Sequence, residues 1–285
     1  NSKTIINNFA LGEKQDTKNF YIHNNDSTSS FYKFSNLNIK ENNELIESFK
    51  LGSSNPLDER DPNDLGRFGF GMKTASLSQS KSFIVITKSI NENLISRCLD
   101  LNYITKLNDG WKLRHVEKGE LCGYDKIISN QKSGTAIIWN NWDKAPVNKN
   151  DFDSLSNIIY DYVSVCFHRF IERGINISCN NHKILACNPI PTNLGGAEQF
   201  SEVSLATNND VKLSAYVIQH PMKWNENYEH SLSFNSYKLF SGFERQQGIY
   251  IYRCNRLLTP KGGWLGVLKG GNSAKLARVT IDYPN

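Results

Sequence analysis

The sequence contains six cysteines but no pair at the Cys-x-x-Cys spacing, which argues against a zinc ribbon or a thioredoxin-type redox site. It also has no run of about 18 consecutive apolar residues of the kind that crosses a membrane. No charged segment followed by an apolar stretch marks a secretory signal. We therefore expect reduced thiols, no membrane partner and a cytoplasmic location.

The chain has little net charge of either sign, because 33 Lys+Arg residues face 28 Asp+Glu residues. This excess is too small to predict a nucleic-acid partner by itself. Cys179, His182 and Cys187 are close in sequence, but the second half of a zinc-type ligand set is missing. The 285 residues, 39% of them hydrophobic, suffice for two domains with sizeable cores. Because the chain begins at Asn1 and stops abruptly at Asn285, we expect it to be cut from a longer protein.

Three glycines lie within six residues in "DLGRFGFGMKTAS", residues 64–76. Glycine at this density indicates sharp turns or close approach of the backbone to another group. A glycine loop that opens a helix presents backbone N–H groups to an anion, and Lys73 and Thr74 add an ammonium and a hydroxyl nearby. The spacing GxxGxG differs from the dinucleotide pattern GxGxxG, and no P-loop GK[ST] is present. A flexible surface loop is the alternative interpretation.

Hydrophobic periodicity predicts α/β structure on both sides of this run. Leu45, Ile46 and Phe49 would share one face of a short helix before it, and a second helix is expected from Met72 onward. The strands predicted in the first half are 82–88, 94–101 and 134–142. Asn108-Asp109-Gly110 predicts a hairpin turn that leads into a further strand.

A continuous apolar stripe predicts one long helix over residues 151–173, started by Asn150 or Asp151 and ended by Gly174. His168 falls off this stripe, so we expect it at the surface or in a capping role. Beyond the helix the pattern changes mostly to strands. We therefore predict two α/β domains, which span residues 1–150 and 151–285.

Four motifs in order resemble the GHKL superfamily of ATPases, most closely its MORC-like and bacterial MutL-like branch. These motifs are "ELIESFKLGSS" (44–54), "LGRFGFGMKTAS" (65–76), "SGTAIIW" (133–139) and "QGIYIYRCNRLLTPKGGWLG" (247–266). The second resembles the ATP lid, the third resembles a strand that lines the nucleotide pocket, and the fourth resembles a hairpin of the transducer domain.

The resemblance implies a Bergerat-type two-layer α/β sandwich with a mixed sheet, followed by a transducer-like α/β domain. It further implies an ATPase that binds ATP with Mg²⁺ and couples ordering of the lid to homodimerisation. The function expected on this basis is a nucleotide-dependent dimerisation switch in DNA processing or bacterial anti-phage defence. A pseudo-ATPase that binds or scaffolds without hydrolysis is the alternative.

The residues that would contact nucleotide can be carried over where the motifs match. They are Gly52, Ser53, Ser54, Gly66, Arg67, Phe68, Gly69, Phe70, Gly71, Met72, Lys73, Thr74 and Thr135. In the first 43 residues the match is poor: Glu13 stands at the place of the general base, and Thr17 stands where the family has its Mg²⁺-binding Asn. Asp26 is the aspartate available to contact adenine. Either this half of the pocket has decayed or the sequence omits segments there.

The stretch from Arg245 to Arg278 contains seven basic residues and no acidic residue. A solvated surface explains such a run, and so does a track for a phosphate backbone. The residues assigned to DNA on the second interpretation are Arg253, Arg256, Lys261 and Lys269. DNA or an effector protein is therefore the expected macromolecular partner.

Overall fold

The computed structural model describes residues 18–21, 42–50, 52, 69–143, 148–190, 192, 196–205, 208–219 and 246–283. The chain divides into two compact units. The first comprises Asn1–Phe152 and Asn176–Lys183, and the second comprises Asp153–Ile175 and Ile184–Asn285. The predicted domain boundary at residue 150 stays a prediction.

The first unit contains a four-stranded sheet with the order β1-β4-β2-β3, in which every described pairing is antiparallel. Its strands are β1 (Lys18–Tyr21), β2 (Ser80–Lys88), β3 (Ile95–Asp100) and β4 (Gly134–Trp142). Its helices are α1 (Asn42–Phe49), α2 (Gly71–Leu77), α3 (Leu101–Leu107) and α4 (Tyr124–Ser129), with a 3-10 turn at Lys118–Leu121. Strand β2 is central and almost completely buried, as its run of β-branched and aromatic residues predicts.

Alternation along β2 assigns its side chains to two cores on opposite faces of the sheet. Phe83 and Val85 pack on one face with Leu45 and Phe49 of α1 and Met72 of α2. On the other face the core contains residues of the 3-10 turn and α4. Its members are Ile84, Ile86, Cys98, Leu121, Tyr124, Ile128, Ala136 and Ile138. Helix α4 thus covers the second face, an addition to the two layers expected.

The segment after β3 differs from the prediction. Residues 101–107 form α3, because the Asp100 carboxylate caps the helix by accepting from the backbone N–H groups of Asn102 and Tyr103. Asn108, at φ 47°, ends this helix and does not join two strands. The expected following strand is reduced to a single bridge between Cys98 and Arg114.

The second unit contains a five-stranded mixed sheet with the order β10-β9-β11-β8-β7. Its strands are β7 (Ala197–Leu205), β8 (Asn208–Ile218), β9 (Gly248–Arg253), β10 (Arg256–Leu257) and β11 (Ala277–Tyr283). A small separate hairpin, formed by β5 (Ser178–Cys179) and β6 (His182–Lys183), belongs to the first unit. Strands β9 and β11 are parallel, and all other described pairs are antiparallel. Cys254 and Asn255, both at positive φ, make the tight β9–β10 hairpin that the fourth motif predicts.

The long predicted helix is interrupted at Phe167. It forms α5 (Lys149–Cys166) and α6 (His168–Glu172), and Gly174 at φ 98° follows the end of α6. The prediction that His168 lies at the surface is wrong, since only 1% of the residue is exposed. Its Nε2 is 3.0 Å from the Tyr252 hydroxyl, and its Nδ1 is 3.4 Å from a Glu172 carboxylate oxygen.

Arg169 completes this buried polar layer between α6 and the sheet. Its guanidinium lies 3.5 Å from the centroid of the Tyr252 ring and makes a two-pronged ion pair with Asp282 of β11. Helix α6 is therefore attached to both β9 and β11.

The mixed α/β class predicted from the sequence is confirmed in both units. Trp264 is 9% exposed and donates its indole N–H to the Gln247 side chain at 3.0 Å, as expected for a packing residue. No helix among the described residues combines the length and the apolar character needed to cross a membrane.

The burial of His168 predicts a pH-dependent stability. Burial lowers the pKa of His168 below its ordinary value of 6.5, more than Glu172 and Asp282 raise it, and Arg169 lowers it further. Below pH 6.5 the unfolded chain therefore binds more protons than the folded chain, so the free energy of unfolding falls as the pH drops from 7.5 to 5.5. Urea unfolding at the two pH values measures the difference.

His168→Gln should make this pH dependence shallower, whereas His182→Gln, which changes an exposed histidine, should leave it unchanged. An equal pH dependence in wild type and His168→Gln would contradict the assignment.

Candidate functional site

Two glycine turns lie next to each other in the first unit. Gly52, at φ 69°, follows α1, and Gly69, at φ 64°, precedes α2. In this left-handed region an L-residue with a side chain costs roughly 1 kcal/mol more. A Cβ on Gly52 would lie 3.5 Å from Cζ of Phe70, so the first turn packs against the ring that begins α2.

Helix α2 is fixed by three residues that face inward, Met72, Lys73 and Ser76. Met72 enters the core with Leu45 and Phe49. The Ser76 hydroxyl accepts a hydrogen bond of 2.9 Å from the indole N–H of Trp139 on β4. The end of the glycine run is therefore held against both α1 and the sheet.

Lys73 makes the most specific of these contacts. Its ammonium donates to the backbone carbonyl of Ser48 at 2.7 Å, and the residue is 1% exposed. Burial lowers the pKa of Lys73 below its ordinary value. Burying an ammonium without compensation costs several kcal/mol, whereas the negative C-terminal end of α1, whose last turn contains no basic residue, stabilises it here.

Gly71 differs from the other two glycines of the site. It is the first residue of α2 and is not among the residues at positive φ. Among the described residues, no atom outside its own surroundings in the chain lies within 4 Å of a Cβ built on it. Next to it, Phe70 is 40% exposed, and the Thr74 hydroxyl donates to the Phe70 carbonyl at 3.0 Å.

Thr135 of β4 lies opposite Thr87 of β2, and their hydroxyl oxygens are 2.8 Å apart. By alternation from Ile137 and Trp139, Thr135 belongs to the same face of the sheet as α1 and α2. Two hydroxyls carry two O–H donors, and their mutual bond uses one of them. The pair can therefore offer one donor to an acceptor on this face.

Of the residues assigned to nucleotide, the structure brings Gly52, Gly69, Phe70, Gly71, Met72 and Lys73 into one neighbourhood, with Thr74 on the outer side of α2. Met72 and Lys73 point inward. Apart from Thr135 on β4, the remaining residues predicted for nucleotide binding and chemistry lie outside the described residues: Glu13, Thr17, Asp26, Ser53, Ser54, Gly66, Arg67 and Phe68.

Sequence reasoning missed Ser48, Thr87 and Trp139 as partners of this neighbourhood. Ser48 contributes a backbone carbonyl, which no side-chain pattern identifies. Thr87 could have been found by aligning the two predicted strands antiparallel, because that register places the two threonines opposite each other.

The predicted DNA residues belong to the second unit. Arg253 and Arg256 are directly opposite in the β9–β10 hairpin. Arg256 and Lys261 each lie over an aromatic ring, at 5.3 Å from the centroid of Phe167 and 5.9 Å from that of Tyr162. Lys269 is exposed. Arg278 is completely buried, so it does not belong to a surface track.

No residue of the described ranges joins a metal-like cluster of three His, Cys, Asp or Glu side chains. No disulfide joins any of the six cysteines, all of which belong to the described ranges: Cys98, Cys179 and Cys187 are buried, Cys166 and Cys254 are half-buried, and Cys122 is exposed. Burial raises the pKa of the Cys98 thiol to about 11, so this thiol stays protonated at neutral pH.

Residues 40–135 match the family model described as histidine kinase-, DNA gyrase B- and HSP90-like ATPase. No curated protein matches the sequence. A solved structure of the ATPase and transducer domains of DNA topoisomerase II from Balamuthia mandrillaris is similar to the chain with a TM-score of 0.40 and 11% identity. That similarity covers 84% of this chain and 57% of the other, little more than half of its length. The family match, which includes α1, both glycine turns and Thr135, supports the GHKL superfamily for residues 40–135 and does not reach the MORC-like or MutL-like branch.

Proposed function

We propose that this chain is an ATP-binding GHKL-type ATPase that acts as a nucleotide-dependent dimerisation switch. The family match over residues 40–135 supports the class of ligand. The observation that locates the proposed site is that no described residue lies close to the position of a Cβ on Gly71.

Glycine at position 71 is not required by the described structure. At the start of a helix alanine is the better residue by up to about 1 kcal/mol, and neither a positive φ nor a crowded neighbour within the described ranges excludes a Cβ there. A ligand that packs directly against the backbone would account for the glycine. A phosphate group fits this position, since the first N–H groups of a helix have no partner within it.

The described residues that would hold the triphosphate are the backbone of Gly69–Gly71, with the Thr87–Thr135 pair as one further donor. Gly52 and Phe70 would shape the edge of the pocket. ATP supplies the phosphoanhydride bond, and Mg²⁺ neutralises its oxygens. The proposed metal ligand Thr17 and general base Glu13 are outside the described residues, so no described residue is assigned to the metal.

We further place this activity in DNA processing or bacterial anti-phage defence, in a MORC-like or MutL-like setting. In support, the second unit contains Arg253, Arg256, Lys261 and Lys269 within one segment that lacks acidic residues from position 246 to 281. Positive charge without opposing carboxylates suits a phosphate backbone. The transducer-like character of residues 151–285 is part of the same proposal.

Gly71→Ala tests the position of the phosphates. The variant should fold with unchanged or slightly raised melting temperature, and ATP should bind at least about 10-fold more weakly in calorimetry, because the new methyl group occupies space needed by a phosphate. Gly119→Ala is the matched control, since a Cβ there also has no described neighbour within 4 Å. Full ATP affinity in Gly71→Ala would remove the phosphates from this turn.

Hydrolysis and dimerisation are measured on the same protein. Phosphate release that depends on Mg²⁺ and is abolished by Glu13→Ala, together with an ATP-dependent dimer in analytical ultracentrifugation, is the expected result. Tight binding of ATP without any phosphate release would instead favour the pseudo-ATPase alternative. If wild type binds no ATP at all, both functions are excluded.

Arg253→Ala combined with Arg256→Ala should weaken binding to duplex DNA of any sequence. The slope of log affinity against log salt should fall by about 0.9 for each DNA phosphate that the variant no longer neutralises. Fluorescence anisotropy at several salt concentrations measures both quantities. The control is Lys81→Ala with Lys118→Ala, two exposed lysines of the first unit, and binding that is absent or insensitive to salt would refute a DNA track.

A further inference from the structure

We infer that Lys73 is a positioning residue, whose ammonium holds the two glycine turns side by side and does not contact the phosphates directly. This inference rests on the proposed function, because it assigns a role within that site. It departs from the simplest expectation for a lysine two residues after a glycine loop, which is a direct bond to phosphate.

The Lys73 side chain points away from the exposed start of α2 and towards α1. Lys73 lies on the inner side of α2, next to Met72, and its Nζ donates to the Ser48 carbonyl at 2.7 Å. Ser48 is the penultimate residue of α1. Its carbonyl is one of the last four of the helix, which have no partner within the helix. The bond therefore satisfies an acceptor that α1 leaves open.

The bond between Lys73 and Ser48 lies close in sequence to both glycine turns. Gly52 is four residues after Ser48, and Gly69 and Gly71 are four and two residues before Lys73. The bond thus joins the two helices at the ends from which the glycine turns extend. The contact between Phe70 and Gly52 closes the same junction from the turn side.

The burial of Lys73 also favours a role in positioning the turns over direct contact with a phosphate. Only 1% of Lys73 is exposed, whereas Phe70 and Gly71 at the start of the helix are exposed. A ligand that reaches the exposed backbone of Gly71 need not enter the space behind α2. The buried charge still contributes attraction through the low-dielectric interior, without a hydrogen bond to the ligand.

Lys73→Met removes the donor and keeps the length of the side chain, Lys73→Arg keeps a donor, and Lys81→Met is the control at an exposed lysine. In hydrogen exchange of the nucleotide-free protein, Lys73→Met should exchange faster than wild type, by about 10-fold, in peptides covering both 49–52 and 69–74. Lys73→Arg should restore much of the protection, and Lys81→Met should match wild type. Unchanged exchange of both peptides in Lys73→Met would overturn the inference.

Calorimetry with ATP and ADP distinguishes positioning from a phosphate bond. Misplaced turns should weaken both nucleotides by a similar factor in Lys73→Met. Loss of ATP affinity with ADP affinity retained would assign Lys73 to the terminal phosphate and overturn the inference. If wild type binds neither nucleotide, the proposed function fails, but hydrogen exchange still decides whether the bond to Ser48 holds the turns.

Acetylation of wild type provides a test that needs no variant, in case Lys73→Met does not fold. Lys73 should react at least about 10-fold more slowly than Lys81 with acetic anhydride, as read by mass spectrometry. Equal rates would show that the ammonium is not held behind α2.

Discussion

The seating of α2 against α1 and β4 is the constraint on which the candidate site depends. A short helix of seven residues has little stability of its own, so its position comes from contacts: Met72 in the core, Lys73 on the Ser48 carbonyl and Ser76 on the Trp139 indole. Two of the three are hydrogen bonds, which have direction as well as energy. They fix both the place and the rotation of α2, and rotation decides that the backbone of Gly71 is exposed while Lys73 is buried.

The sheet contributes by separating two cores. Because residues of β2 alternate between faces, one face receives the helices that bear the glycine turns and the other receives α4. Thr87 and Thr135 continue the first face where the apolar side chains end. In the absence of any ligand the mutual bond of this hydroxyl pair uses one of its two O–H donors, so the second remains available to an acceptor on the same face.

Sequence patterns predicted the elements that follow simple periodicity, including α1, β2, β4 and the β9–β10 hairpin. The predictions failed where a side chain caps a helix or where a helix is interrupted, because hydrophobic periodicity shows neither. Asp100 caps α3 across a segment expected to lead into a hairpin turn. The interruption at Phe167 rotates α6 relative to the helical wheel of α5, and this rotation buries His168 on Tyr252. In the site, the motif indicated which residues are neighbours, but the direction of Lys73 depends on a backbone carbonyl that no motif contains.

The three described glycines of the site do not carry equal weight as evidence for a ligand. Gly52 and Gly69 have positive φ, so the turns around α1 and α2 suffice to explain them. A protein that had lost hydrolysis but kept its fold would retain both, and an intact glycine run therefore does not by itself argue for catalysis. Gly71 has neither a positive φ nor a close neighbour among the described residues, so the described part of the fold gives no reason to prefer glycine there. Its presence favours nucleotide binding over a purely structural turn, whereas hydrolysis depends on residues elsewhere in the chain.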